Sequence, residues 1–75
     1  MYIVIEIQTN ADGTVGNIVT AYPTRDAAFS KYHQILSAAA ISALPVHSAV
    51  ILDKYGFQIA SQHFEHEIIV PENDE

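Results

Sequence analysis

The sequence predicts an α+β domain in the order β-β-α-β-β, with a four-stranded antiparallel sheet and one helix packed on one face. Three observations carry this. Near the N-terminus, Ile3, Ile5 and Ile7 alternate with Tyr2, Val4, Glu6 and Gln8, which is the pattern of a half-buried strand. Asp12-Gly13 and Asp53-Lys54-Tyr55-Gly56 are turn signals between apolar runs. Between those turns, apolar residues recur at helical spacing.

The first strand runs from Tyr2 to Thr9, and Asn10 to Gly13 turns it into a second strand from Val15 to Tyr22. Pro23-Thr24 stops that strand. Thr24 suits a helix cap, and Asp26 places an acid in the first turn, where the helix dipole favours it. Ala28, Phe29, Tyr32, Ile35, Leu36, Ala39, Ala40 and Ala43 share one face of the helix. The helix should end at 42–44, because Pro45 disfavours helix in the residue before it. Val46 to Asp53 is a third strand, with Val46, Ser48, Val50 and Leu52 on one face and His47, Ala49 and Ile51 on the other. Phe57 to about Glu67 is a fourth, which Ile68-Ile69-Val70 can extend. Residues 1–70 make the single domain, and 71–75, PENDE, an acidic disordered tail.

With the first and third strands central, the spatial order 2-1-3-4 makes every neighbour antiparallel. One helix covers one face of such a sheet. The opposite face is expected to show Val4, Glu6 and Gln8, with His47, Ala49 and Ile51 or their alternates.

Composition limits function. The chain of 75 residues has no cysteine, so neither disulfides nor thiolate zinc sites support it. A domain this small buries only roughly 60% of the surface its unfolded chain exposes. Its apolar fraction of 49% with only 16% charged residues is high for a small chain, and the mixed, fairly apolar open sheet face with a lightly charged helix back argues for self-association into a homodimer or larger assembly. Net charge is −6, and Arg25, Lys31 and Lys54 are the only cations. Three scattered cations cannot form the basic patch that DNA or RNA requires. No apolar run approaches the ~20 residues of a membrane span, and MYIVIEIQ lacks the basic start of a signal peptide. A cytoplasmic setting is expected.

No residue pattern names a reaction. There is no Gly-x-Ser-x-Gly elbow, phosphate loop or dinucleotide fingerprint. Ser30, Ser37, Ser42 and Ser48 have no base framing them in the sequence. In His63-Phe64-Glu65-His66 the two histidines point to opposite faces of a strand, which spoils a shared metal site. A non-enzymatic protein is expected, with no cofactor and no metal.

The back of the helix is the expected contact surface. It offers Ala27, Ser30, Gln34, Ser37, Ala38 and Ile41, with Lys31 the one charge. Lys31, Gln34 and Ser37 are candidate ligand donors, joined by Arg25 at the helix start. His33 and His47 join them if they meet near one end of the helix. Ala38 and Ile41 are the candidate interface residues.

Ile7-Gln8-Thr9-Asn10 with Asp12-Gly13, Ser30-Lys31-Tyr32-His33, Ala38-Ala39-Ala40 with Ser42, Pro45-Val46-His47 and Ala49-Val50 together resemble a group of small phage and prophage proteins of gut-associated Gram-positive bacteria. The resemblance covers roughly residues 1 to 66. It implies a viral origin and a place in the host cytoplasm. One class of such proteins consists of anti-defence sponges, which sequester a cyclic nucleotide signal in a pocket between protomers. Virion or tail-associated structural proteins and inhibitors of host proteins are the alternatives.

Overall fold

The computed structural model describes residues 1–66. It contains β1 (Tyr2–Thr9), β2 (Val15–Tyr22), α1 (Arg25–Ala40), β3 (Val46–Asp53) and β4 (Gln58–Glu65). The expected extension at Ile68–Val70 and the tail at 71–75 lie outside the described residues. The sheet order is β2-β1-β3-β4, with every neighbour antiparallel.

The two hairpin turns are built alike. An aspartate accepts backbone hydrogen bonds across each turn, and a glycine supplies the left-handed residue. Asp12 Oδ1 accepts from Thr14 N at 2.9 Å, and Gly13 has φ +89°. Asp53 Oδ1 accepts from Tyr55 N at 2.9 Å and Phe57 N at 3.0 Å, and Gly56 has φ +87°. A side chain at either glycine would be strained by its own Cβ.

Thr24 caps α1 by accepting from Ala27 N at 3.2 Å. The helix ends at Ala40, before the expected 42–44. Ile41 takes φ −116°, its N–H bonds back to the Ala38 carbonyl, and the Ser42 N–H bonds back to that of Ala39. Stopping there leaves Ala40 and Ala43 exposed and frees residues 41–45 to turn Ser42 towards β3. Pro45 accounts for the break only in part, because the chain leaves the helix four residues earlier.

The helix covers the side of the sheet that was expected to be bare. Val4, Ala49 and Ile51 lie against Ala28, Tyr32, Ile35 and Leu36, and Ala28, Ala49 and Ile51 are 0% exposed. Glu6 and the buried His47 share that side. The Ile3/Ile5/Ile7 set of β1 is the more apolar, so its pattern alone points the wrong set at the helix. Topology supplies the missing constraint. β2 and β3 run parallel with β1 between them, and α1 is the crossover that joins them. Such β-α-β connections are right-handed in nearly all folds, which leaves one sheet face for the helix. Alanines at the contact let the backbones approach closely, and that approach buries Ile51 completely.

Ile51→Ala should lower the unfolding free energy by about 2–5 kcal/mol, whereas Ile41→Ser, at a position 88% exposed, should change it by less than about 0.5 kcal/mol. Urea denaturation followed by circular dichroism measures both, and equal losses would contradict this placement of the helix.

Candidate functional site

The described residues leave the sheet face opposite α1 uncovered. Pairing across all four strands sets side chains in rows. One row reads Ala21, Ile3, Leu52, Gln58; the next reads Val19, Ile5, Val50, Ser61. The third reads Asn17, Ile7, Ser48, His63, and the last Val15, Thr9, Val46, Glu65. Apolar residues therefore dominate β2, β1 and β3, and polar residues are gathered on β4. A lone domain seldom leaves so continuous an apolar sheet open to water.

On the edge strand β2, Val15 and Val19 are 62% and 59% exposed. On the opposite side, Val46, Ser48, Val50, Gln58, Ser61 and His63 line a shallow hollow of about 330 Å³. Short side chains at Ser48 and Ser61 create the depression. One extra residue in β4 near Ile59 also shifts the register opposite Ile51 and Leu52.

The residues expected to bind a ligand do not converge. Gln34, Ser37, Ala38 and Ile41 are exposed along the outer side of α1. Arg25, Phe29 and His33 stack at four-residue intervals along one flank. The Arg25 guanidinium lies 4.5 Å from the Phe29 ring centroid, and the Phe29 and His33 ring centroids are 6.1 Å apart. Lys31 is half-buried and lends its charge to Glu6. His47 lies beneath the end of the helix, 4% exposed. His33 instead packs against Tyr32, with ring centroids 5.4 Å apart. The two imidazoles sit in different environments and share no contact.

His47 belongs to a polar chain that sequence reasoning missed. Its Nε2 lies 2.7 Å from Glu6 Oε2, and its Nδ1 lies 3.2 Å from Ser42 Oγ. Gln8 Nε2 donates to the same Glu6 oxygen at 2.9 Å. A serine thus does face a base, contrary to the expectation from sequence. The three residues come from a strand, a loop and another strand, so no local motif could reveal them. With Glu6 ionised, Nε2–H donates to the carboxylate, and Nδ1 accepts from the Ser42 hydroxyl in the neutral ring or donates to its oxygen in the imidazolium. The surroundings favour a structural tie over nucleophilic chemistry. Ser42 follows the C-terminus of α1, whose partial negative charge opposes a developing oxyanion. Ser42 Oγ also accepts from Leu44 N at 3.4 Å, which fixes the loop.

Burial alone would raise the Glu6 pKa. Hydrogen bonds from His47 and Gln8, with the charges of His47 and Lys31, outweigh it and hold the carboxyl below its usual value of 4.5. The two C-terminal histidines diverge. His66 Nε2 reaches the Ala39 carbonyl oxygen at 2.8 Å, donating to the end of α1. His63 lies on the open face, 3.2 Å from Glu65.

No family model matches the chain, and no curated protein or solved structure matches it.

A carboxylate with a depressed folded pKa stabilises the fold above its ordinary pKa. That contribution is lost as pH falls below 4.5 through the folded value. Glu6→Gln should therefore flatten the acid limb of the melting-temperature curve below pH 4.5 and leave the neutral limb parallel to that of the parent. An acid limb of unchanged slope would refute the Glu6–His47 pairing.

Proposed function

We propose that this protein is a non-enzymatic binding protein whose working unit is a homodimer formed by the uncovered sheet faces. The observation that supports it is the open apolar face itself, spread over β2, β1 and β3 with the polar residues at one edge. Each strand has eight residues. At ~3.4 Å per residue and ~4.8 Å between strands, four strands present roughly 500 Å² of flat face, or roughly 1,000 Å² for two copies. That is about the threshold of a specific interface. A second copy is the occupant that matches such a face in size and apolarity at once. Association itself costs about 4–15 kcal/mol, so an area of this size supports a micromolar dimer rather than a picomolar one.

The narrower reading is an anti-defence sponge that holds a cyclic nucleotide in the host cytoplasm. The resemblance to phage proteins supports it, and so does the Arg25–Phe29–His33 row. A guanidinium beside aromatic faces suits a phosphate next to a base. A virion or tail-associated structural role, or inhibition of a host protein, would use the same dimer with a protein in place of the nucleotide.

Sedimentation equilibrium at micromolar concentration should give twice the chain mass of 8.2 kDa. Val50→Asp should return the 8.2 kDa species, and a parent that is already monomeric would end the dimer reading. Calorimetry against a panel of cyclic nucleotides tests the ligand. Binding with the ligand recovered intact, and weakened about tenfold or more by Arg25→Ala, supports sequestration. A chemically altered ligand would mean an enzyme, and a protein found in purified virions without ligand binding would favour the structural role.

A further inference from the structure

We infer that β2 pairs with β2 of a second copy, antiparallel about a two-fold axis at Ile18, so that two sheets join edge to edge. This contact is additional to the face-to-face dimer and uses a different border of the molecule. β2 is an outer strand, and the direction of its backbone groups follows from the hairpin. The Asn10 N–H donates to the Thr14 carbonyl at 2.8 Å. In the register of β1 and β2, Gly16, Ile18, Thr20 and Tyr22 then point their N–H and C=O at β1. Val15, Asn17, Val19 and Ala21 alternate with them. Their N–H and C=O point outward and meet no strand among the described residues. Sheets commonly blunt such a border with a charge, a proline or a bulge. Val15–Tyr22 has none of these.

The side chains of β2 favour a partner that lies alongside. Val15 and Val19 are exposed on the open face, and Ile18 is 56% exposed on the other, outside the core that α1 covers. A body resting on the open face leaves Ile18 in water, whereas a strand beside β2 covers side chains on both faces. Charge points to a second copy. Each chain carries −6, yet β2 has no charged side chain, so two acidic molecules meet where neither brings a charge. Symmetry then sets the register. An axis along the strands would make them parallel and oppose outward residues to outward residues. A parallel ladder needs each bonded residue opposite an unbonded one, so that arrangement fails. In an antiparallel pair with the axis at Ile18, Val15 bonds Ala21 and Asn17 bonds Val19, and every outward group is used. Moving the axis to Val19 sets Val15 opposite Pro23, which has no N–H. Moving it to Asn17 sets Ala21 opposite Gly13, whose N–H already bonds Asn10. Backbone bonds exchanged with water contribute little net stability, so this seam closes at higher concentration than the face contact.

The chain has no cysteine, which makes introduced thiols unambiguous, and covalent capture suits a weak contact. The two Ile18 residues form a non-hydrogen-bonded pair, whose Cα atoms are ~4.5 Å apart, within the ~4.4–6.8 Å that a disulfide spans. In oxidised glutathione, I18C should form a disulfide-linked dimer about tenfold faster than I41C, an exposed control beyond the helix end. N17C and V19C should lag behind I18C. Adding Val50→Asp, which removes the face contact, should leave the I18C advantage in place. Fastest capture at V19C or N17C would move the axis and overturn the register. I18C no faster than I41C would overturn the seam and leave β2 to a strand of a different protein. An I18C dimer captured from a parent that sediments at 8.2 kDa would support the seam while ending the face reading. Circular dichroism checks that the cysteine variants, all at exposed positions, retain the fold.

Discussion

A helix of sixteen residues is roughly 24 Å long and about 10 Å wide, so it can shield one face of a four-stranded sheet and no more. In this molecule that shortage of cover governs the rest. The face beneath α1 is packed to zero exposure at Ala28, Ala49 and Ile51. The other face holds Ile3, Ile5 and Ile7 at the centre of an unshielded sheet. Domains are built from packed layers, and among the described residues this face has no second layer.

The covered side is not the more apolar one. It carries Glu6, Gln8 and His47, and these are accommodated because each polar group finds a partner. No buried side-chain nitrogen or oxygen is left without a hydrogen bond among the described residues. The chain Gln8–Glu6–His47–Ser42 also pins the loop after α1 to the sheet. A polar cluster thus occupies the space where the helix ends and apolar packing runs out, and the richer hydrophobic set stays on the sheet face that α1 does not cover.

The order of elements was legible from local chemistry. Asp12-Gly13 and Gly56 turn the chain, Thr24 caps the helix, and alternation in β1 and β3 marks strands. The strand order followed from requiring antiparallel neighbours. Which side of β1 meets the helix was not legible, because alternation favours Ile3/Ile5/Ile7 as the buried set, whereas crossover handedness, a property of the assembled sheet, puts Tyr2, Val4, Glu6 and Gln8 on the helix side. The Glu6–His47–Ser42 contact was equally hidden, since Glu6 and His47 lie 41 positions apart. The candidate ligand residues were chosen by helical spacing, and that spacing spreads them around α1. The three cations show the consequence: Arg25 lies over Phe29, the Lys31 charge acts weakly on Glu6, and Lys54 sits 5.1 Å from the Tyr55 ring centroid. Each works locally, and none is pooled into a common anion site.

The two outer strands of the sheet are unequal. β4 has an inserted residue at Ile59 and carries Glu65, while β2 is regular and has no charged side chain. A bulge and a charge both discourage a further strand from adding alongside. Growth by strand addition is therefore blocked at one border of the molecule. A subunit that can be extended at only one border cannot propagate a fibre: joined through β2, two copies would leave only blunted ends. The irregularity in β4 thus leaves β2 as the one regular border of the described sheet.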